Sequence, residues 1–164
     1  MSELAALREI EAIRRKRVSD AEDALRRAQQ ALRQSEQALE EARLALARYL
    51  QALPGLIEQL FADCIGHLVS REFVQDKTYE ETQLRAKVED YKARVVEAEH
   101  ALAVAQHAVQ TASAHLVQAE LKLEAVQALV KDARKRAAVA QARADGRVLD
   151  ELATARFVRA ERKP

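Results

Sequence analysis

The sequence predicts an all-α fold, a long antiparallel two-helix coiled-coil hairpin with a short helical tip. Composition is the first observation behind this. The 164 residues include 3 Gly, 2 Pro and no Trp, with 4% aromatic and 32% charged side chains. Such a chain, rich in Ala, Leu, Gln, Glu and Arg, has the profile of long helices rather than of a thick globular core. The second is a heptad pattern carried by two separate segments. The third is a Leu53-Pro54-Gly55 break between them.

In the first segment Val18, Ala21, Leu25, Ala28, Leu32, Ser35, Leu39, Ala42, Leu46, Tyr49 and Leu53 follow strict 3-4 spacing. That spacing holds one apolar stripe against a partner helix. Residues 1–53 are therefore expected to form the first coiled-coil arm. With Val18 as an a position, the a sites are mostly Leu or Val and the d sites mostly Ala. Each large side chain then faces a small one, which suits a tight helix pair within one chain. Ser35 is a mild polar defect that can help fix register. Tyr49 is a larger knob whose hydroxyl is expected to reach solvent.

Pro54 lacks the amide donor and Gly55 tolerates a turn, so the first helix is expected to stop there. Residues 54–83 are read as an apolar turn and tip. Leu56, Ile57, Leu60, Phe61, Ile65, Leu68, Val69 and Phe73 have a helical spacing too dense for a free surface. The expectation is one or two short helices packed on each other, with Gly66 as a break. Self-packing of Leu60, Phe61, Leu68 and Phe73 is favoured there over contact with a second partner, for which they are the candidates. Asp76 or Thr78 is the expected N-cap of the second arm.

The second arm, residues 84–164, repeats the pattern through Leu84, Val88, Tyr91, Val95, Ala98, Leu102, Ala105, Val109, Ala112, Leu116, Ala119, Leu123, Val126, Val130, Ala133, Ala137, Ala140 and Ala144. If Leu53 faces Leu84, then Leu4 faces Ala133. The first arm would span ~80 Å and the chain from about residue 134 would overhang by roughly 45 Å if helical. The seam fades there to alanines and is broken by Gly146, and Leu149, Leu152 and Phe157 begin a new face. A lone helix of this kind is expected to fray unless a partner covers it.

Charge follows position. Residues 1–17 and 131–164 together carry 15 basic and 8 acidic side chains, whereas 18–130 carry 12 and 18. The register brings Arg14-Arg15-Lys16-Arg17 near Lys131, Arg134, Lys135 and Arg136, so the end where the termini meet is basic. Its charges are interleaved with acids and lack stacking aromatics, which argues against nucleic acid as the partner. Docking of this end into an acidic ring or cavity fits at least as well, with a solvated charged face that has no partner as the alternative.

Nothing in the sequence reads as catalysis. Phosphate-binding glycine loops, paired cysteines and nucleophile triads are all missing from it, and a two-helix rod offers little concavity. No enzymatic activity, cofactor or metal is expected. His100, His107 and His115 fall outside the seam and His67 in the tip, and none of them stands at the i, i+4 spacing of a helical zinc pair. Cys64 reads as a small packed residue and fits a reducing compartment. No secretory signal and no run near ~18 apolar residues is visible, so the expectation is a cytoplasmic protein with no direct membrane insertion.

At the end of the chain, Leu149-Asp150-Glu151-Leu152-Ala153, then Arg156 and the basic tail Arg159 to Pro164, resembles the terminus of the FliJ/YscO family, the central-stalk proteins of bacterial type III secretion and flagellar export. The resemblance extends loosely to the whole chain and leans toward the virulence type. The apolar tip departs from a plain hairpin. The resemblance implies a stalk like the γ subunit of rotary ATPases. Its paired termini would enter the hexameric export ATPase, linking it to the export gate protein and to secretion chaperones at the cytoplasmic face of the apparatus. It implies Asp150 and Glu151 as motif positions, with Arg14, Arg17, Arg136, Arg143 and Arg156 as electrostatic contacts. The alternative reading is a generic structural coiled-coil scaffold, without an ATPase partner. The hairpin reading expects a monomer when free.

Overall fold

A computed structural model describes residues 2–162. Lys163 and Pro164, which close the basic tail, lie outside the described residues. The fold is a helical hairpin. Helix α1 (Glu3–Phe61) is joined to helix α2 (Arg71–Glu161) by a short 3-10 turn at Ala62–Cys64 and a connecting segment. Both helices begin on a serine. The Ser2 hydroxyl accepts the Ala5 amide at 3.2 Å, and the Ser70 hydroxyl accepts the Phe73 amide at 3.1 Å. Each cap satisfies one of the amides left open in a first turn.

Two boundaries differ from expectation. Helix α1 does not stop at Pro54 but runs through it and Gly55 to Phe61. The proline removes one hydrogen bond, but Leu53 is buried and Leu56, Ile57 and Leu60 are half-buried on the continuing face. That burial outweighs a local penalty of about 3 kcal/mol. The N-cap of α2 is Ser70 and not Asp76 or Thr78. Both of those lie inside the helix, where the Thr78 hydroxyl donates to the Val74 carbonyl at 2.9 Å. The expected break at Gly66 is present, with φ at +78°, a left-handed conformation that glycine adopts without a Cβ clash.

The seam follows the heptads. Every named position from Val18 to Leu53 is at least half-buried, with Leu39 and Leu53 buried. On α2 the half-buried and buried residues between Leu84 and Ala133 are the fifteen heptad positions and no others. Ala105, Val126, Val130 and Ala133 are the most enclosed of these.

The chain falls into two units, Met1–Asp23 with Ala114–Pro164, and Ala24–Ser113. In the second unit Arg43 pairs with Glu99 at 3.5 Å and Tyr49 stacks on Tyr91. Moving forward along α1 thus moves backward along α2, and the helices are antiparallel. The Tyr49 hydroxyl, expected at the solvent, donates instead to the Leu84 carbonyl. In the first unit Glu3 and Arg136 form an ion pair at 2.9 Å, which fits the expected Leu4–Ala133 register. Among the described residues, no helix is long and apolar enough to cross a membrane.

Candidate functional site: the overhang, the basic base and the tip

The heptad register accounts for the overhang. Glu3 opens α1 and its partner is Arg136, so α2 continues past the last residue that α1 can cover. From Arg134 to Arg162 every side chain is exposed, and only Gly146 is partly covered. Ala137, Ala140 and Ala144 lose their neighbour here although the heptad continues. The helix passes through Gly146 without a break. Val139, Val148, Leu149, Leu152 and Phe157 are all at least half exposed, with Phe157 at 64%. In the same segment Arg143 lines a shallow groove with Lys135, Arg136, Val139 and Ala140. Asp150 and Glu151 line another with Thr154, Ala155 and Val158. There the Thr154 hydroxyl donates to the Asp150 carbonyl at 2.8 Å, and Asp150 and Glu151 are both exposed. Arg156 is exposed one turn further on.

At the base, the structure brings Arg14 and Arg17 into one groove but places Arg136 in its ion pair with Glu3. Arg14 occupies a d position and Glu11 the preceding a position, so the seam of α1 runs polar for one turn below Val18. Glu11 accepts two hydrogen bonds from the Arg15 guanidinium, at 2.7 and 3.2 Å. The bond from Arg15 holds the Glu11 carboxyl below the usual carboxylate range, with Gln127 and Arg134 assisting and burial opposing. This polar turn was legible as a gap in the apolar heptads before Val18. The Glu11–Arg15 i, i+4 spacing was also in plain view.

At the tip, the side chains expected to pack on each other do so only in part. Leu60, Phe61 and Phe73 are half-buried, and Leu68 is fully exposed. With Ile65 at 76% exposure, the connecting segment presents apolar surface instead of closing a small core. Packing is limited because a single 3-10 turn replaces the expected short helices, so no second layer covers these groups. Ile57, Phe61, Ala62 and Ile65 line a groove of about 570 Å³ with Glu58 and Gln59. Phe73 carries the Lys77 ammonium 5.3 Å from its ring centre. Cys64 is a half-buried free thiol in the turn. Among the described residues no three His, Cys, Asp or Glu side chains gather as metal ligands.

The surface thus defines a class: a two-helix hairpin whose unpaired features are an uncovered helical extension, a basic base and an apolar tip. The model of the family described as Type III secretion protein YscO matches residues 7–154, and the chain belongs to that family. No curated protein and no solved structure matches it significantly.

Proposed function

We propose that this chain is a non-enzymatic central stalk and adaptor of a bacterial type III secretion export ATPase. Its paired termini enter the hexameric ring, and its tip faces the export gate protein and the chaperones of exported proteins. It works at the cytoplasmic face of the apparatus. The observation that carries this reading is the uncovered part of α2 beyond Ala133. A helix of nearly thirty residues with no partner helix is marginal in water by itself. This one also leaves Leu149, Leu152 and Phe157 in solvent, where each apolar side chain gives up about 1.5–3 kcal/mol that burial would supply. A ring that encloses the helix recovers that energy. Membership of a type III secretion family supports a secretion component as the partner.

In this reading Arg136, Arg143 and Arg156 meet acidic groups of the ring, while Arg14 and Arg17 do so from the α1 side. Asp150 and Glu151 meet basic or amide donors. Long-range charge of this kind governs encounter rate and orientation more than final affinity. Leu60, Phe61, Leu68 and Phe73 supply the apolar contact at the other partner. The test is co-elution with the export ATPase of the same genome, comparing the full chain with one ending at Ala133. The full chain is expected to co-elute and the truncated one to migrate alone. Retention of binding by the truncated chain overturns the proposal.

A further inference from the structure

One flank of the unit formed by Met1–Asp23 and Ala114–Pro164 can be followed rung by rung from Glu3 and Arg136, joined across the helices at 2.9 Å. One heptad inward from each stand Ile10 and Leu129, exposed at 42% and 51%. One heptad further stand Arg17 and Lys122. Such flanking positions commonly hold opposite charges that pair across the helices. Here the first rung is an ion pair, the second is apolar and the third sets two cations side by side. The third rung opens into a groove of about 180 Å³ lined by Arg14, Arg17, His115, Gln118, Ala119 and Lys122. No carboxylate lines it. Neither Arg14, Arg17, His115 nor Lys122 has an ion-pair partner among the described residues.

We propose that this groove, with the apolar rung beside it, takes an acidic amphipathic helix of a protein partner. Carboxylates would enter between Arg14, Arg17, His115 and Lys122, and apolar side chains would rest on Ile10 and Leu129. Charge complementarity selects the acidic occupant. The step from the basic to the apolar rung is one heptad, about 10.5 Å, which a partner helix spans with residues seven apart. The groove, about 180 Å³, has room for a carboxylate-sized group. Its walls are helix interiors whose amides are already bonded within each helix, so the backbone cradle that commonly receives phosphate is absent. No aromatic side chain lines it to stack a base. This inference rests on the reading of the base as a partner-binding end and adds the chemistry of what it grips.

The test uses the full-length protein and a fluorescein-labelled helical peptide with Glu and Leu in heptad spacing, read by anisotropy at low salt. Wild type is expected to bind saturably, and added salt to weaken the complex. Arg17→Glu with Lys122→Glu keeps like charges across the rung, so the hairpin folds as before, and binding falls about ten-fold or more. Arg17→Glu alone creates an opposite pair with Lys122. It should leave the melting temperature unchanged or higher while binding drops, whereas a merely structural role for Arg17 would lower both. The control Arg48→Glu with Lys87→Glu carries the same charge change in the other unit and should bind within about two-fold of wild type. Absence of saturable peptide binding, equal binding by the Arg17/Lys122 variant, or preferential capture of phosphatidylserine vesicles overturns the proposal. The assay contains no ATPase, so its failure is separate from loss of ATPase co-elution on truncation at Ala133.

Discussion

Tyr49 and Tyr91 stack across the two helices with ring centres 4.7 Å apart and planes 26° from parallel, and the Tyr49 hydroxyl closes the contact on the Leu84 carbonyl. Both residues stand at d positions that elsewhere hold mainly alanine. The pair therefore favours one register: a heptad slip in either direction breaks the stack, setting the rings against Ala98 and Leu56 or against Leu84 and Ala42. Burial pushes the Tyr49 phenol above its ordinary pKa, with Tyr91 adding to the effect, so the hydroxyl remains a donor through neutral pH.

Tyr49→Phe is expected to cost about 0.5–1.5 kcal/mol, the worth of one hydrogen bond in a half-buried setting. Tyr91→Ala should cost more, about 2–4 kcal/mol, because the stack and its buried area go together. Urea unfolding followed by circular dichroism measures both. A Tyr49→Phe chain as stable as wild type would show that the Leu84 contact contributes nothing.

Pro54 interrupts the hydrogen bonding of a helix that continues regardless. Pro54→Ala should therefore stabilise the hairpin by about 1–3 kcal/mol, since alanine restores a donor and removes the ring clash. A thermal melt decides it, and a lower melting temperature in the variant would contradict the continuous helix.

The Glu11 carboxyl is held low in the folded chain, so its contribution to stability is present above the ordinary carboxylate range. It is lost as pH falls through the lowered folded value. Glu11→Gln should melt lower than wild type at neutral pH, and the two curves should converge in strong acid. Melting temperatures across an acid series supply the comparison. A gap that persists unchanged into strong acid would mean that the carboxylate charge is not what Glu11 contributes.

Heptad spacing made most of the fold legible. Leu39, Leu53, Val126, Val130 and Ala133 are buried where the apolar stripe puts them. The stripe does not mark where cover ends, since Ala137 continues the spacing but lies past the reach of α1 and is exposed. What escaped were the places where polar residues extend the seam. Lys77 and Glu81 carry it from Phe73 to Leu84, with Lys77 partly covered along its stem while its ammonium stays near the Phe73 ring. A search for apolar repeats alone therefore began the second arm late and placed its cap at Asp76 or Thr78. Pro54 misled for a related reason. Local propensity favoured a stop, but the buried Leu53 and the half-buried face beyond it carried the helix onward. At the candidate site, the residues of the overhang are exposed. The groove that gathers Arg14 and Arg17 with His115 and Lys122 needed the pairing of two distant segments, which residue spacing within one helix does not contain.

In the proposed function the uncovered end of α2 engages an export ATPase. The most direct measurement is ATP hydrolysis by the export ATPase of the same genome, alone, with the full chain, and with the chain ending at Ala133. Stimulation by the full chain and none by the truncated one is expected. Equal rates in all three, or equal stimulation by both chains, would contradict it.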